Sequence, residues 1–114
     1  SQKAASMALQ KGALFNEEMR LIYKRRRDCL VHGLNEIGWS VDLPEAGMFV
    51  WVEIPKPYSS KQFAIELINQ AHVAVTPGIA FGPSGEGYVR IALVEDETVI
   101  QTAIRSIKDS GILK

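Results

Sequence analysis

The sequence predicts an α/β (α+β two-layer) fold: a small mixed, largely antiparallel sheet with helices packed against it, preceded by a long N-terminal helical region. Three observations support this prediction. Short β-branched runs alternate with apolar residues at helical spacing along 114 residues, and 46% hydrophobic content suits one modest core. The last two predicted strands also follow each other without an intervening helix, which disfavours an all-parallel sheet.

Residues 1–38 are predicted to be helical. A first helix covers residues 1–11 and is expected to end at Gly12, and Asn16 is suited to cap a second helix. The second helix is expected to end at Gly38. Its apolar residues at helical spacing are Met19, Ile22, Leu30, Leu34 and Ile37.

Four short strands are predicted in residues 39–114. Residues 39–43 are expected to form an edge strand, and residues 48–54 a nearly continuous apolar strand that Pro55 ends. Residues 73–76 form a third, shorter strand. Residues 88–94 form a fourth, which is rich in β-branched and aromatic residues.

Two further helices carry clear boundary signals. Ser59, with Gln62 three residues later, forms a capping box that opens a helix to about Gln70. The last helix begins near Asp96 and ends before Gly111. The side chains expected to face the core are Ala64, Leu67, Ile68 and Ala71 in the first helix and Ile100, Ala103, Ile104 and Ile107 in the second.

Composition narrows the class of protein. Thirteen basic residues balance thirteen acidic ones, so nothing draws the chain to nucleic acid or to an anionic membrane. The single cysteine, Cys29, excludes an internal disulfide and a cysteine-rich zinc site, and we expect it to be a small core residue. No apolar run approaches the ~20 residues needed to span a bilayer, and a cytoplasmic location is the default expectation.

The only charge cluster is the basic run Lys24–Arg27. A phosphate or nucleic-acid contact is one hypothesis, but the zero net charge favours a solvated helix face. An RNA-binding sheet is disfavoured, because the exposed strand aromatics that it requires are not evident. His32 and His72 have no partner at metal-ligand spacing, so both are expected to be structural and no metal site is predicted.

Arg90 is the candidate binding residue, because it lies in the middle of an apolar strand behind a glycine-rich loop. Alternation places Val89, Ile91 and Leu93 on one face and Tyr88, Arg90 and Ala92 on the other. A buried charge needs an anionic partner, and the planar guanidinium suits a carboxylate held by two parallel hydrogen bonds. The residues alone leave two hypotheses: a carboxylate ligand, or a structural ion pair with an acid of the same domain.

Other residues are weaker candidates. Gly47 and Gly78 are expected to serve backbone geometry rather than ligand contact. Phe49 and Trp51 lie on a predicted core strand, where packing is favoured over cofactor stacking. Lys61 lies in the first turn of an amphipathic helix and is expected to be solvated.

Several stretches also carry a resemblance to a known family. In order they are RRRD at 25–28, LNEIGW at 34–39, PEAGMFVW at 44–51, VAVTPG at 73–78 followed by FG at 81–82, and GYVRIAL at 87–93. These stretches and their spacing resemble the C-terminal small domain of class I/II (fold-type I) aminotransferases. The resemblance is nearest to the branch of alanine, LL-diaminopimelate and aspartate aminotransferases.

The resemblance implies an enzyme that transfers an amino group between an amino acid and a 2-oxo acid, with pyridoxal phosphate as cofactor. It implies that Arg90 binds the substrate α-carboxylate and that residues 1–38 link a small domain, residues 39–114, to a large domain outside this chain. The full-length enzyme is expected to be a homodimer.

We expect no catalytic, cofactor-binding or metal-binding residue within this chain, since the family's catalytic lysine and phosphate-binding residues belong to the large domain. The chain alone is therefore expected to be inactive and to hold no cofactor. It opens without an initiator methionine, which also suggests a piece of a larger protein. The alternative hypothesis is a free-standing regulatory module that binds amino acids.

Overall fold

Strands β1 (Phe49–Glu53), β2 (Thr76–Pro77) and β3 (Tyr88–Ala92) form an antiparallel sheet with β3 in the middle. The computed structural model describes the backbone of residues 2–45 and 47–113, and within those ranges the side chains from residue 17 onward. Every strand pair in that part of the chain is antiparallel, and helices pack on one side of the sheet. The predicted α/β class is confirmed.

The N-terminal region is one helix, α1 (Gln2–Glu36), and not two. The predicted break at Gly12 is wrong, because a single glycine costs a helix only about 1 kcal/mol and helix-forming residues stand on both sides of it. The predicted stop is confirmed: Gly38 adopts a left-handed φ of +97°, and the Trp39 N–H donates back to the Leu34 carbonyl at 2.9 Å.

Residues 39–43 do not form the predicted edge strand. The reason is a side chain: the Asn35 amide donates to the Val41 carbonyl at 3.1 Å and accepts from the Val41 N–H at 2.7 Å. Both backbone groups of Val41 are therefore satisfied without a neighbouring strand.

The other strands occur near their predicted positions with shorter bounds. The apolar run 48–54 contains β1, and the run 88–94 contains β3. The prediction for residues 73–76 is wrong in extent, because only Thr76 and Pro77 pair with β3.

The two C-terminal helices begin and end as the sequence predicts. Helix α2 (Ser60–Glu66) has the predicted capping box on Ser59 and continues as a π turn, Leu67–Ala71. Helix α3 (Glu97–Ser110) is capped by Asp96 and ends at Gly111, which has φ +72°. One predicted core residue is wrong: Ile68, in the π turn, is 50% exposed.

The core lies between the inner face of the sheet and the helices. Its least exposed side chains are Leu34, Val50, Val52, Phe63, Leu67, Val89 and Leu93. Leu34 of α1 belongs to the same core as the strands, and the C-terminal part of α1 packs against α3. The proposed division of the chain at residue 38 stays a prediction.

The basic run on α1 is solvated only in its first half. Lys24 and Arg25 are exposed, as predicted, but Arg27 is 4% exposed and donates to the Gly47 carbonyl at 2.7 Å and the Glu45 carbonyl at 3.4 Å. Arg26 donates to the Leu93 carbonyl at 2.7 Å. The predicted solvated face is therefore wrong for Arg26 and Arg27, which tie α1 to the chain segments flanking the sheet.

Replacing Arg27 by a residue of similar length should destabilise the fold without leaving a cavity. In Arg27→Met a side chain of similar length remains, while the Gly47 and Glu45 carbonyls lose a charged donor; we expect a loss of about 2–3 kcal/mol in the free energy of unfolding. The control is Arg25→Met on the exposed side of the same helix, where a loss of less than about 1 kcal/mol is expected. Urea unfolding of both variants measures the difference, and equal losses would show that the Arg27 contacts are not stabilising.

Candidate functional site

The outer face of the sheet is aromatic and accessible. Phe49 is 38% exposed, Trp51 45% and Tyr88 41%, while their strand neighbours Val50 and Val52 point into the core. The predicted core packing of Phe49 and Trp51 is therefore wrong, because alternation along β1 turns them away from the helices. The expectation that exposed strand aromatics are absent is wrong for the same reason.

Arg90 lies in the middle of this aromatic face. It is directly opposite Trp51 across the β1–β3 pair, and its side chain is partly exposed. The central carbon of its guanidinium lies 4.0 Å from the centre of the Phe49 ring and 4.2 Å from the centre of the Phe81 ring. Two cation–π contacts therefore restrain the guanidinium without using its N–H donors.

Within the described residues, no acidic side chain is paired with Arg90. The ion pairs found there involve Arg20, Lys24 and Arg25, His32 contacts Glu36, and the side-chain hydrogen bonds do not include Arg90 either. The hypothesis of a structural ion pair therefore finds no acid in that part of the chain. The guanidinium is held by aromatic rings and retains its capacity to bind an anion.

Phe81 reaches Arg90 from the loop that joins β2 to β3, residues 78–87, which we call the aromatic loop. Its first turn is a 3-10 helix, Gly78–Phe81. The Phe81 and Trp51 rings pack edge to face, with ring centres 5.4 Å apart and an angle of 73° between the ring planes. The outer face thus presents Phe49, Trp51 and Phe81 around one guanidinium.

Backbone contact closes the aromatic loop at its base. A Cβ atom added to Gly78 would lie 1.9 Å from the Gly85 carbonyl oxygen, and one added to Gly85 would lie 2.1 Å from that of Gly78. Neither position has room for a side chain. The prediction that Gly78 serves backbone geometry is confirmed.

Ser60 joins the aromatic loop to α2. Its side chain is fully buried, its hydroxyl donates to the Glu86 carboxylate, and its backbone N–H lies 3.3 Å from the same carboxylate. The Ile79 N–H in turn donates to the Ser60 hydroxyl at 3.4 Å. The hydrogen bond from the Ser60 hydroxyl lowers the pKa of Glu86 below its usual value of 4.5; burial opposes this shift in part, and weaker bonds from the backbone N–H groups of Ser60 and Gly87 add to it.

The remaining candidates from the sequence lie away from this cluster. Gly47 has φ +108°, which agrees with its predicted backbone role, and Lys61 is exposed as predicted. His32 pairs with Glu36 at 2.9 Å on the surface of α1, and His72 occupies a left-handed position, φ 58°, after the π turn.

Cys29 packs at the edge of the core and is half-buried. Burial, and then the charge of Glu97, raises the pKa of its thiol. Among the described residues, no three His, Cys, Asp or Glu side chains converge as metal ligands. No helix in that part of the chain is long and apolar enough to cross a membrane.

Sequence reasoning identified Arg90 but assigned no site role to Phe81, Ser60 or Glu86. An aromatic residue in a loop rich in glycine was the available signal for Phe81. Ser60 and Glu86 are 26 positions apart and carry no pattern that would connect them.

Comparisons with known proteins agree on one family. The family model described as aminotransferase class I and II matches residues 1–107. The chain is 48% identical over 110 residues to the glutamate-pyruvate aminotransferase AlaC of Escherichia coli K12, and 42% identical over 106 residues to an LL-diaminopimelate aminotransferase of Maridesulfovibrio salexigens. These matches cover 94% and 93% of this chain but 27% of each relative, so the chain spans little more than a quarter of their length.

Solved structures give the same result. The substrate-bound BacF structure from Bacillus subtilis matches with a TM-score of 0.87 and 35% identity, covering 97% of this chain and 29% of BacF. An aminotransferase from Staphylococcus aureus matches with a TM-score of 0.86 and 32% identity, covering 99% of this chain and 30% of that protein.

The Ser60–Glu86 contact should make stability depend on pH in one direction. The pKa of Glu86 is lower in the folded state than in the unfolded state. The contact therefore stabilises the fold fully above pH 4.5 and loses its effect as the pH falls through the folded-state pKa. We expect the difference in unfolding free energy between the native chain and Glu86→Gln to be constant near neutral pH and to shrink below pH 4.5.

Urea unfolding at a series of pH values measures this difference. Glu95→Gln is the matched control, an exposed loop position that does not contact Ser60. A Glu86→Gln difference that grew as the pH fell would contradict the assignment.

Proposed function

This chain belongs to the class I and II aminotransferase family, and we propose that, within a full-length enzyme of that family, it binds the α-carboxylate of the amino-acid substrate through Arg90. One observation carries the proposal: the Arg90 guanidinium is restrained between Phe49 and Phe81 and has no acidic partner among the described residues. A restrained cation without a partner is suited to an anionic ligand.

The geometry favours a carboxylate over a simple counter-ion. A guanidinium presents two parallel N–H donors in one plane, and a carboxylate presents two oxygens at matching separation. The rings of Phe49 and Phe81 restrict the rotation of that plane before the ligand arrives, so less side-chain freedom is lost on binding. Partial exposure of Arg90 leaves the ligand a way in.

Such a contact would serve both halves of an amino-group transfer. An amino acid and a 2-oxo acid both carry the carboxylate next to the reacting carbon, so one arginine can hold the donor and the acceptor in turn. Fixing the carboxylate would hold the reacting carbon in one orientation toward the groups that act on it. A bimolecular encounter would then become an effectively intramolecular one.

The family implies pyridoxal phosphate, which supplies an electron sink for the bond-breaking steps when it is bound. The residues described here do not fit a cofactor site, because the side chains of Lys24, Lys56, Lys61 and Lys108 are all exposed. We propose that the cofactor-binding lysine belongs to the remainder of a full-length enzyme, which acts as a cytoplasmic homodimer. The alternative of a free-standing regulatory module is less favoured, since the curated relatives described above carry the names of enzymes.

Replacing Arg90 should discriminate between substrates with and without a carboxylate. In the full-length enzyme, Arg90→Lys keeps the charge and loses the paired donors, which is worth about 1.5–3 kcal/mol and lowers kcat/KM for L-alanine about ten- to a hundredfold. Arg90→Ala should be more severe. The reaction with ethylamine, the decarboxylated counterpart of L-alanine, should change little in either variant.

The control is Arg105→Lys, an exposed arginine of α3, which should leave both reactions unchanged. Single-turnover kinetics with each amine measures the selectivity. Equal losses for L-alanine and ethylamine, or unfolding of Arg90→Ala, would assign Arg90 a structural role instead.

The 114-residue chain alone should be catalytically silent. Its described lysines are all exposed, so we expect dialysis followed by borohydride reduction to leave pyridoxal phosphate on no single lysine at full occupancy, beyond scattered labelling of surface lysines, as read by mass spectrometry. A single modified lysine at full occupancy, abolished by replacing that one residue, would contradict this.

A further inference from the structure

We infer that Ser60 is a positioning residue for the carboxylate site: it anchors the aromatic loop, residues 78–87, so that Phe81 stays against Arg90. This inference rests on the proposed function of Arg90 and adds a residue that does not touch the ligand.

The Ser60 hydroxyl contacts both ends of the aromatic loop. It donates its proton to the Glu86 carboxylate near the end of the loop and accepts the Ile79 N–H near its beginning, at 3.4 Å. A hydroxyl is the smallest side chain that can do both at once. Helix capping does not require it, because the neighbouring Ser59 supplies the cap of α2.

The loop between those two contacts has little freedom of its own. Gly78 and Gly85 are in backbone contact at its base, and Gly82 has φ +125° and ψ +167°, a region open in practice only to glycine. Anchoring Ile79 and Glu86 to one buried side chain therefore fixes the course of the turn between them.

Phe81 is two residues beyond Ile79 in the same 3-10 turn, so the anchor determines where its ring lies. Phe81 is 47% exposed, and its ring contacts Arg90 and Trp51. Contacts on such an exposed ring hold it only weakly, and the Ser60 anchor beneath the loop supplies the additional restraint.

Loss of the Ser60 hydroxyl should leave Arg90 restrained by Phe49 alone. The guanidinium would then lose more side-chain freedom on binding a carboxylate, at a cost that corresponds to about a three- to tenfold rise in KM for an amino acid. A substrate without a carboxylate gains nothing from Arg90 and should not respond.

The test uses the full-length enzyme with L-alanine and ethylamine as probes. Ser60→Ala should raise KM for L-alanine three- to tenfold and leave the ethylamine reaction unchanged. The matched control is Ser59→Ala, which removes the adjacent hydroxyl and the cap of α2 without touching the loop, and should leave both KM values unchanged. Glu86→Ala breaks the same anchor from an exposed position and keeps the test informative if Ser60→Ala fails to fold.

A double-mutant cycle with Phe81→Leu decides whether Ser60 acts through Phe81. If it does, Ser60→Ala has no further effect on KM once Phe81 is replaced. Additive effects, or a Ser60→Ala enzyme with unchanged KM for L-alanine, would overturn the inference. If Arg90→Ala lowers the reactions of L-alanine and ethylamine equally, the proposed function itself fails. If Arg90→Ala lowers only the reaction of L-alanine, while Ser60→Ala leaves the KM for L-alanine unchanged, the positioning role alone is wrong.

Discussion

The register of β1 against β3 is the constraint on which both the core and the site depend. Pairing Trp51 with Arg90 and Val52 with Val89 sends the valines to the helices and the aromatic and charged side chains to the outer face. A slip by one residue would exchange the two faces, burying Arg90 among apolar groups and exposing the valines. The cost of both errors together makes this register the stable one.

Helix α1 braces that register with charged side chains used as donors. Leu93 N–H donates to the Met48 carbonyl at the edge of the pair, and Arg26 binds the Leu93 carbonyl while Arg27 binds the carbonyl of Gly47. Bonds from a cation to carbonyl oxygens are stronger than neutral ones, which offsets the burial of Arg27. The three arginines therefore differ: Arg26 and Arg27 hold the backbone, whereas the Arg90 side chain has no hydrogen-bond partner among the described residues.

Local chemistry explains which features could be predicted from the sequence. Caps at Ser59, Asp96 and Gly111 depend on neighbouring residues and were found, as was Arg90, whose charge is conspicuous in an apolar strand. The absence of a strand at residues 39–43 depends on the Asn35 side chain, which competes for the backbone of Val41. Phe81, Ser60 and Glu86 come together at the site only after the chain has folded, so no spacing in the sequence predicts their contacts.

The contact between Gly78 and Gly85 limits how this region can be diversified. Because each glycine abuts the backbone of the other, a library that randomises residues 78–87 uniformly would consist mostly of members whose loop base cannot close. The exposed positions Ala80, Pro83 and Ser84 are free of that restriction. Variation directed to those three positions would change the exposed surface of the aromatic loop while the backbone at its base keeps its course.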